Sequence, residues 1–286
     1  MKIGIIGLGK MGQNHLNELA RNSHFKINAL FDLYQSPNLS QFNNIFFNDL
    51  DEFIKQDNDI IIIATPTNSH LDIAKKVLNS AKVLLIEKPL ALNLAQIEEL
   101  KKIAQNKKIA VGFCERFNPA VLALKQNLKN EKIISINIQR FSPYPQRIND
   151  VGILHDLAVH DLDLISFLSQ KNITKAKIIK RFTQDANRES ESIISCELGE
   201  IIASLHQSWN CSLRLRKIHL ITEKHFFEAD LANFKLFKDD KEIQIEKNSP
   251  LFNEHQALLN LINNEDHFLA SIDDAYRVQK ILEEEN

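Results

Sequence analysis

What this sequence lacks narrows it first. Cysteine is scarce: Cys114, Cys196 and Cys211 are odd in number and form no C-x-x-C pair. No disulfide framework is encoded, and the usage fits a reducing compartment, so a cytoplasmic protein is expected. No sign of charge dominates. Thirty-five Lys and Arg stand against 37 Asp and Glu, a formal charge of −2, which removes the electrostatic case for nucleic acid or an anionic membrane as partner. Long apolar runs are missing too. The densest, residues 60–64, is strand-sized and far short of the roughly 20 residues of a membrane span. Lys2 already opens a strand, so the N-terminus is not expected to be a cleaved signal peptide. There is no internal repeat and no low-complexity tail.

Glycine is scarce as well, with seven in 286 residues, yet Gly7, Gly9 and Gly12 crowd one stretch at the spacing G-x-G-x-x-G. An apolar run, residues 2–6, leads into them, and a helical pattern (Met11, Leu16, Leu19, Ala20) follows. Gly7 suits a tight turn, Gly9 lets a pyrophosphate approach the backbone, and Gly12 lets the helix pack close to its strand. The helix beginning near Lys10 then aims its free N–H groups and positive dipole end at the phosphates. A second strand, residues 25–31, ends in Asp32, about 20 residues past the last glycine, where a carboxylate binds a ribose diol. Asp32 favours NAD over NADP, because a carboxylate repels a 2′-phosphate and Leu33-Tyr34-Gln35 offers no clamp for one.

With 44% hydrophobic and 25% charged residues, the chain suits a globular protein long enough for two domains. Strands and helices alternate first: a polar loop at 34–44, strand 45–47, helix 49–55, strand 59–64, helix 70–78, strand 83–86, helix 94–105 and strand 109–113. Such alternation means right-handed βαβ units and a parallel sheet. The texture changes near Glu115. A helix at 119–128, a strand at 132–141, a proline-broken loop and a helix at 154–168 lead into strands near 176–181, 190–198, 200–208, 213–221, 224–230 and 234–237. Helices at 253–262 and 272–284 finish the chain. The expected fold is therefore α/β: a Rossmann dinucleotide-binding domain over 1–115, then an α+β domain over 116–286 with a mostly antiparallel open sheet, its last helix free to return to the first domain.

Ligands of such a sheet bind outside the carboxyl ends of the strands. Thr65, Pro66, Asn68 and His70 follow the fourth strand, Glu87 and Lys88 the fifth, and Glu115-Arg116 the sixth. Lys88, held by Pro89 at a buried strand end, is suited to act as acid or base, or to sit solvated beside Glu87. Downstream, His155-Asp156-Leu-Ala-Val-His160-Asp161-Leu-Asp163 places Asp156, His160 and Asp163 at i, i+4 and i+7, on one helix face. A carboxylate beside an imidazole orients the ring and raises its basicity. A shared metal ion or a plain solvated face are the other readings; no metal is expected.

These residues resemble the oxidoreductases related to glucose-fructose oxidoreductase and inositol 2-dehydrogenase. The resemblance rests on the glycine turn with Lys10 and Met11, Thr65-Pro66, Asn68-x-His70, Glu87-Lys88-Pro89 and Asp156-x-x-x-His160-x-x-Asp163. It implies Lys88, Asp156 and His160 as catalytic residues around a reacting carbinol. It implies cofactor contacts from Gly7, Gly9, Lys10, Met11, Gly12, Asp32, Thr65, Pro66, Asn68, His70, Glu87, Lys88 and Arg116. It also implies an open second sheet used to form homodimers or homotetramers. Glu115-Arg-Phe-Asn118-Pro and the run from Arg147 to Asp163 further resemble UDP-N-acetylglucosamine 3-dehydrogenases. That narrower likeness implies oxidation of a sugar C3 hydroxyl, upstream of an aminotransferase in lipid A or surface polysaccharide synthesis. Asn118, Arg147, Asp156 and His160 would then meet the nucleotide sugar, and His155 stands as a second candidate base. Another sugar or polyol dehydrogenase and a non-catalytic NAD-responsive regulator are the alternatives.

Overall fold

The computed structural model describes residues 1–35, 37–145 and 151–284. The chain forms two compact units, Met1–Phe113 with Leu251–Tyr276, and Cys114–Pro250 with Arg277–Asn286. The segment that rejoins the first unit carries nearly all of helix α7 (Pro250–Asn263) and the start of α8 (Ile272–Glu284).

The first unit is a six-stranded parallel sheet built from β1 (Lys2–Ile6), β2 (Lys26–Phe31), β3 (Phe46–Phe47), β4 (Ile60–Ile63), β5 (Val83–Glu87) and β6 (Lys108–Gly112). The strand order is β3-β2-β1-β4-β5-β6, so it reverses beside β1, the switch point where ligands of doubly wound sheets bind. The strands read as near-continuous apolar runs because both faces are covered: Ile60 to Ile63 and Val83 to Ile86 are almost fully buried. Helices α1 (Lys10–Leu19), α2 (Leu50–Ile54), α3 (His70–Val77) and α4 (Leu94–Ala104) make the crossovers. Asp49 and Asn93 cap α2 and α4 through side-chain oxygens that accept backbone N–H bonds. The stretch read as a polar loop after β2 is instead a run of 3-10 turns, Pro37–Ile45. Asn-rich sequence of this kind satisfies its backbone locally without apolar periodicity to announce it.

The second unit holds an eight-stranded sheet of β7 (Ile133–Phe141), β8 (Lys175–Arg181), β9 (Glu191–Leu198), β10 (Ile201–Ser208), β11 (Leu215–Thr222), β12 (Phe226–Asp230), β13 (Lys235–Lys238) and β14 (Lys241–Ile243). The order is β14-β13-β12-β11-β7-β10-β9-β8. Every pair is antiparallel except β7 with β10. Strict alternation in β9 buries Ser192, Ile194, Cys196 and Leu198 and turns Ile193, Ser195 and Glu197 outward, the mark of a sheet with one covered face. Helices α5 (Pro119–Asn127) and α6 (Val159–Ser169) belong to this unit. The helix expected over 154–168 opens as a π-turn, Leu154–Ala158, before α6 begins.

Candidate functional site

Gly7 sits at φ +90°, and a Cβ there would stand 2.7 Å from the Thr65 backbone nitrogen. Its own N–H donates to the Phe31 carbonyl at 2.8 Å, pinning the turn to β2. A Cβ on Gly12 would come within 1.9 Å of the Gly7 carbonyl oxygen, so only glycine lets α1 start this close to β1. Gly9 is different: it is exposed and a Cβ there would meet nothing within 4 Å. It also stands at the N-cap of α1 without any side-chain cap, and the first turn carries no acidic residue. The helix N–H groups are thus left for an outside anion. Lys10 is exposed and Met11 half-buried on that first turn.

Asp32 follows β2. Its Oδ2 accepts from Leu8 N–H at 2.6 Å and its Oδ1 from Leu33 N–H at 2.7 Å. The carboxylate therefore braces the glycine turn and keeps lone pairs for a diol. The arrangement fits a dinucleotide: an open glycine over an uncapped helix start, with an acid on the neighbouring strand.

At the other strand ends, the Thr65 hydroxyl accepts from Ser69 Oγ at 2.8 Å, and Pro66 and Asn68 are exposed. His70 is buried, with Nδ1 3.0 Å from the Pro89 carbonyl and Nε2 2.9 Å from the Thr65 carbonyl. Burial lowers its pKa, against the pull of those carbonyls. The ring staples the Thr65 turn to the Lys88–Pro89 loop. The Glu87 carboxylate is buried, 2.8 Å from His15 Nε2. Gly112 on the adjacent β6 makes room for it, since a Cβ there would lie 2.7 Å from Glu87 Oε1. Lys88 itself is half-buried, ahead of a cis Lys88–Pro89 peptide.

In the second unit, His155 and Asp156 lie half-buried on the π-turn, and His160 is buried in the first turn of α6. The π-turn adds a residue per turn, so Asp156 and His160 are not simple α-helical neighbours. Asp163, three residues after His160 in α6, receives Arg116 through two bonds, Nε to Oδ2 at 2.7 Å and Nη2 to Oδ1 at 2.5 Å. Both side chains are almost fully buried, so Arg116 forms an internal ion pair with Asp163. Asn118 is also committed: its Oδ1 caps α5 through Ala120 N–H, and its Nδ2 donates to the Leu231 carbonyl at 3.0 Å. Arg147 lies outside the described residues.

Sequence reasoning missed a second buried pair. Arg140 Nε donates to Asp161 Oδ1 at 2.9 Å, and Gln207 Nε2 donates to Asp161 Oδ2 at 2.7 Å. Asp161 thereby ties α6 to β7 and β10. A signal for it existed: Arg140 continues the inward phase of Ile136 and Ile138 in β7, and a charge in that phase requires a buried partner. His15 gave the same signal, buried among Gly12, Leu16 and Leu19 on α1.

Comparison with known proteins adds three findings. Residues 1–113 match the model of the oxidoreductase family with an NAD-binding Rossmann fold. Among curated proteins, the chain is 28% identical to UDP-N-acetylglucosamine 3-dehydrogenase of Acidithiobacillus ferrooxidans over 59% of its length and 54% of that protein's. It is 23% identical to inositol 2-dehydrogenase of Rhizobium meliloti over 59% of its length and 54% of that protein's. These alignments thus span about half the length of the relatives. A solved structure of the Acidithiobacillus ferrooxidans UDP-N-acetylglucosamine 3-dehydrogenase superposes with a TM-score of 0.89 at 21% identity, covering 100% of this chain and 96% of that one. At that identity the likeness is one of fold.

Proposed function

We infer that this chain, whose residues 1–113 belong to the oxidoreductase family with an NAD-binding Rossmann fold, is an NAD-dependent dehydrogenase of a sugar secondary hydroxyl. The substrate position we propose is C3 of UDP-N-acetylglucosamine. The observation that carries the reading is the uncapped start of α1 behind an open Gly9, with Asp32 beside it. The named activities of the two curated relatives, both oxidations of a ring hydroxyl, support the reaction class.

In this proposal Gly7, Gly9, Lys10, Met11 and Gly12 present backbone N–H groups to the pyrophosphate, and Asp32 accepts from the adenosine ribose. Thr65, Pro66, Asn68 and the Lys88 backbone line the cofactor side of the strand ends. Bound NAD supplies the hydride acceptor. Lys88 donates a hydrogen bond to the carbinol oxygen and stabilises its developing negative charge. His160 takes the hydroxyl proton, and Asp156 orients that imidazole and favours its charged form. The ion pairs at Asp161 and Asp163 hold α6, and with it His160, in a fixed orientation.

The outward face of the second sheet supports self-association as part of the proposal. Ile179, Ile193, Ile202 and Ile221 project from neighbouring strands and are each 45–61% exposed, more apolar side chain than a sheet facing only water carries. A second copy of the chain is the proposed cover.

The test is NADH formation with purified protein and NAD+ or NADP+, offered UDP-N-acetylglucosamine, free N-acetylglucosamine or myo-inositol. We expect turnover with NAD+ and the nucleotide sugar. Turnover with myo-inositol alone would favour the polyol reading that the inositol relative suggests. Binding of NAD+ without turnover of any of the three would favour a nucleotide-responsive regulator.

A further inference from the structure

Behind Lys88 the first unit contains a polar cluster that the proposed chemistry does not use. His15 comes from α1, Glu87 from the end of β5, and Glu254 and His255 from α7. His15, Glu254 and His255 are 0% exposed and Glu87 is 6% exposed. The ligand atoms of His15, Glu87 and Glu254 all lie within 4.8 Å of one another. His15 Nε2 faces Glu87 Oε1 at 2.8 Å, and His15 Nδ1 faces His255 Nε2 at 2.8 Å. Glu254 is the anomaly: both its carboxylate oxygens are buried with no hydrogen-bond partner.

A buried carboxylate without a partner is costly and needs an explanation. No hydrogen-bond donor reaches either Glu254 oxygen, while a second carboxylate, Glu87, lies close by, its ligand atom within 4.8 Å. A cation shared by the three groups would answer both the missing donor and the repulsion between the carboxylates. Donors sharing one ion at about 2.0–2.2 Å stand roughly 3–4 Å apart, and these three ligand atoms already lie within 4.8 Å of one another.

We propose that His15 Nε2, Glu87 and Glu254 form a buried site for a divalent transition-metal cation of the zinc or manganese kind. One imidazole and two carboxylates, with no sulfur, make a borderline-hard donor set. Two carboxylate charges against one dication leave the pocket neutral, where two buried anions alone would repel. Ligation through Nε2 fixes the His15 proton on Nδ1, which donates to His255 Nε2, the outer partner a metal-bound histidine needs. Gly112 keeps the space in which the Glu87 carboxylate turns inward. The three ligands come from distant parts of the chain, so the ion fastens the returning α7 to the dinucleotide unit. The site is structural and enclosed, and it departs from the sequence reading, which expected no metal.

The test uses the whole chain, grown with added zinc or manganese, purified without chelator and analysed by inductively coupled plasma mass spectrometry. The expected result is about one ion per chain, a melting temperature that drops after chelator dialysis, and recovery on adding Zn2+ or Mn2+ alone. Glu254→Gln, which keeps the size but loses the anion, is expected to cut metal content at least about tenfold and to abolish the chelator response. Wild-type protein without metal whose melting does not respond to either ion would overturn the site. So would a Glu254→Gln variant that keeps its metal. If that variant fails to fold, the wild-type metal content and ion response decide alone. None of these readouts depends on NAD or sugar turnover, so the site and the proposed dehydrogenase stand or fall separately.

Discussion

Lys88 is the residue on which the proposed chemistry turns. Exchanging it for methionine keeps a long apolar stem while removing the donor and the charge. Lys88→Met is expected to lower kcat by about 10²–10⁴-fold, the usual worth of a positioned acid or base, with the NAD+ dissociation constant essentially unchanged. Steady-state kinetics alongside calorimetric NAD+ titration check this, and unaltered kcat would remove Lys88 from the reaction. Cys196 offers a simpler residue-scale check. Burial pushes its thiol up to about 12, whereas Cys114 and Cys211 are partly exposed. In the folded protein at about pH 8, an aromatic disulfide reagent is expected to leave Cys196 unmodified until denaturant is added.

Among the elements, the glycine turn makes the sharpest separation of fold from binding. Gly12→Ala drives a methyl into the Gly7 carbonyl, so it is expected to destabilise the protein and weaken NAD+ together. Gly9→Ala adds a methyl that meets no protein atom. It should melt like the wild type yet bind NAD+ at least about tenfold more weakly, because the methyl occupies the approach of the pyrophosphate. Thermal melts and titration calorimetry distinguish the two variants.

This turn was legible because its glycines carry their geometry in their identity, and the buried strands because their apolar runs have no polar phase. The ion pairs of α6 were harder to read. Asp156, Asp161 and Asp163 are chemically alike in the sequence, and only tertiary packing commits Asp161 to Arg140 and Asp163 to Arg116. The π-turn at Leu154–Ala158 has no compositional mark, so an α-helical spacing was assumed through it. Glu254 looked like an ordinary helix acid until burial singled it out. The buried pairs also carry a stability expectation. Arg140→Met leaves Asp161 without its cation and should cost roughly 3–5 kcal/mol in urea unfolding.

For the whole molecule, acid is expected to weaken the fold in part through His70. Burial holds its native pKa below the ordinary 6.5, so below that pH the unfolded chain takes up a proton that the native ring resists. Stability is therefore full above about pH 6.5 and declines as pH falls, by up to ~1.4 kcal/mol per pH unit for a ring that stays neutral. His70→Gln should flatten the decline in urea midpoints measured between about pH 7.5 and pH 5.5. Self-association belongs to this scale too: Ile193→Lys with Ile202→Lys should convert an oligomer to monomer in light scattering without unfolding it.

The account as a whole depends on a hydride leaving the sugar carbon for the cofactor. Its most direct measurement is mass spectrometry of the reduced cofactor after incubation with NAD+ and UDP-N-acetylglucosamine deuterated at C3. The account predicts NADH carrying the deuterium. Unlabelled NADH, or none formed while unlabelled sugar is also inert, would contradict it.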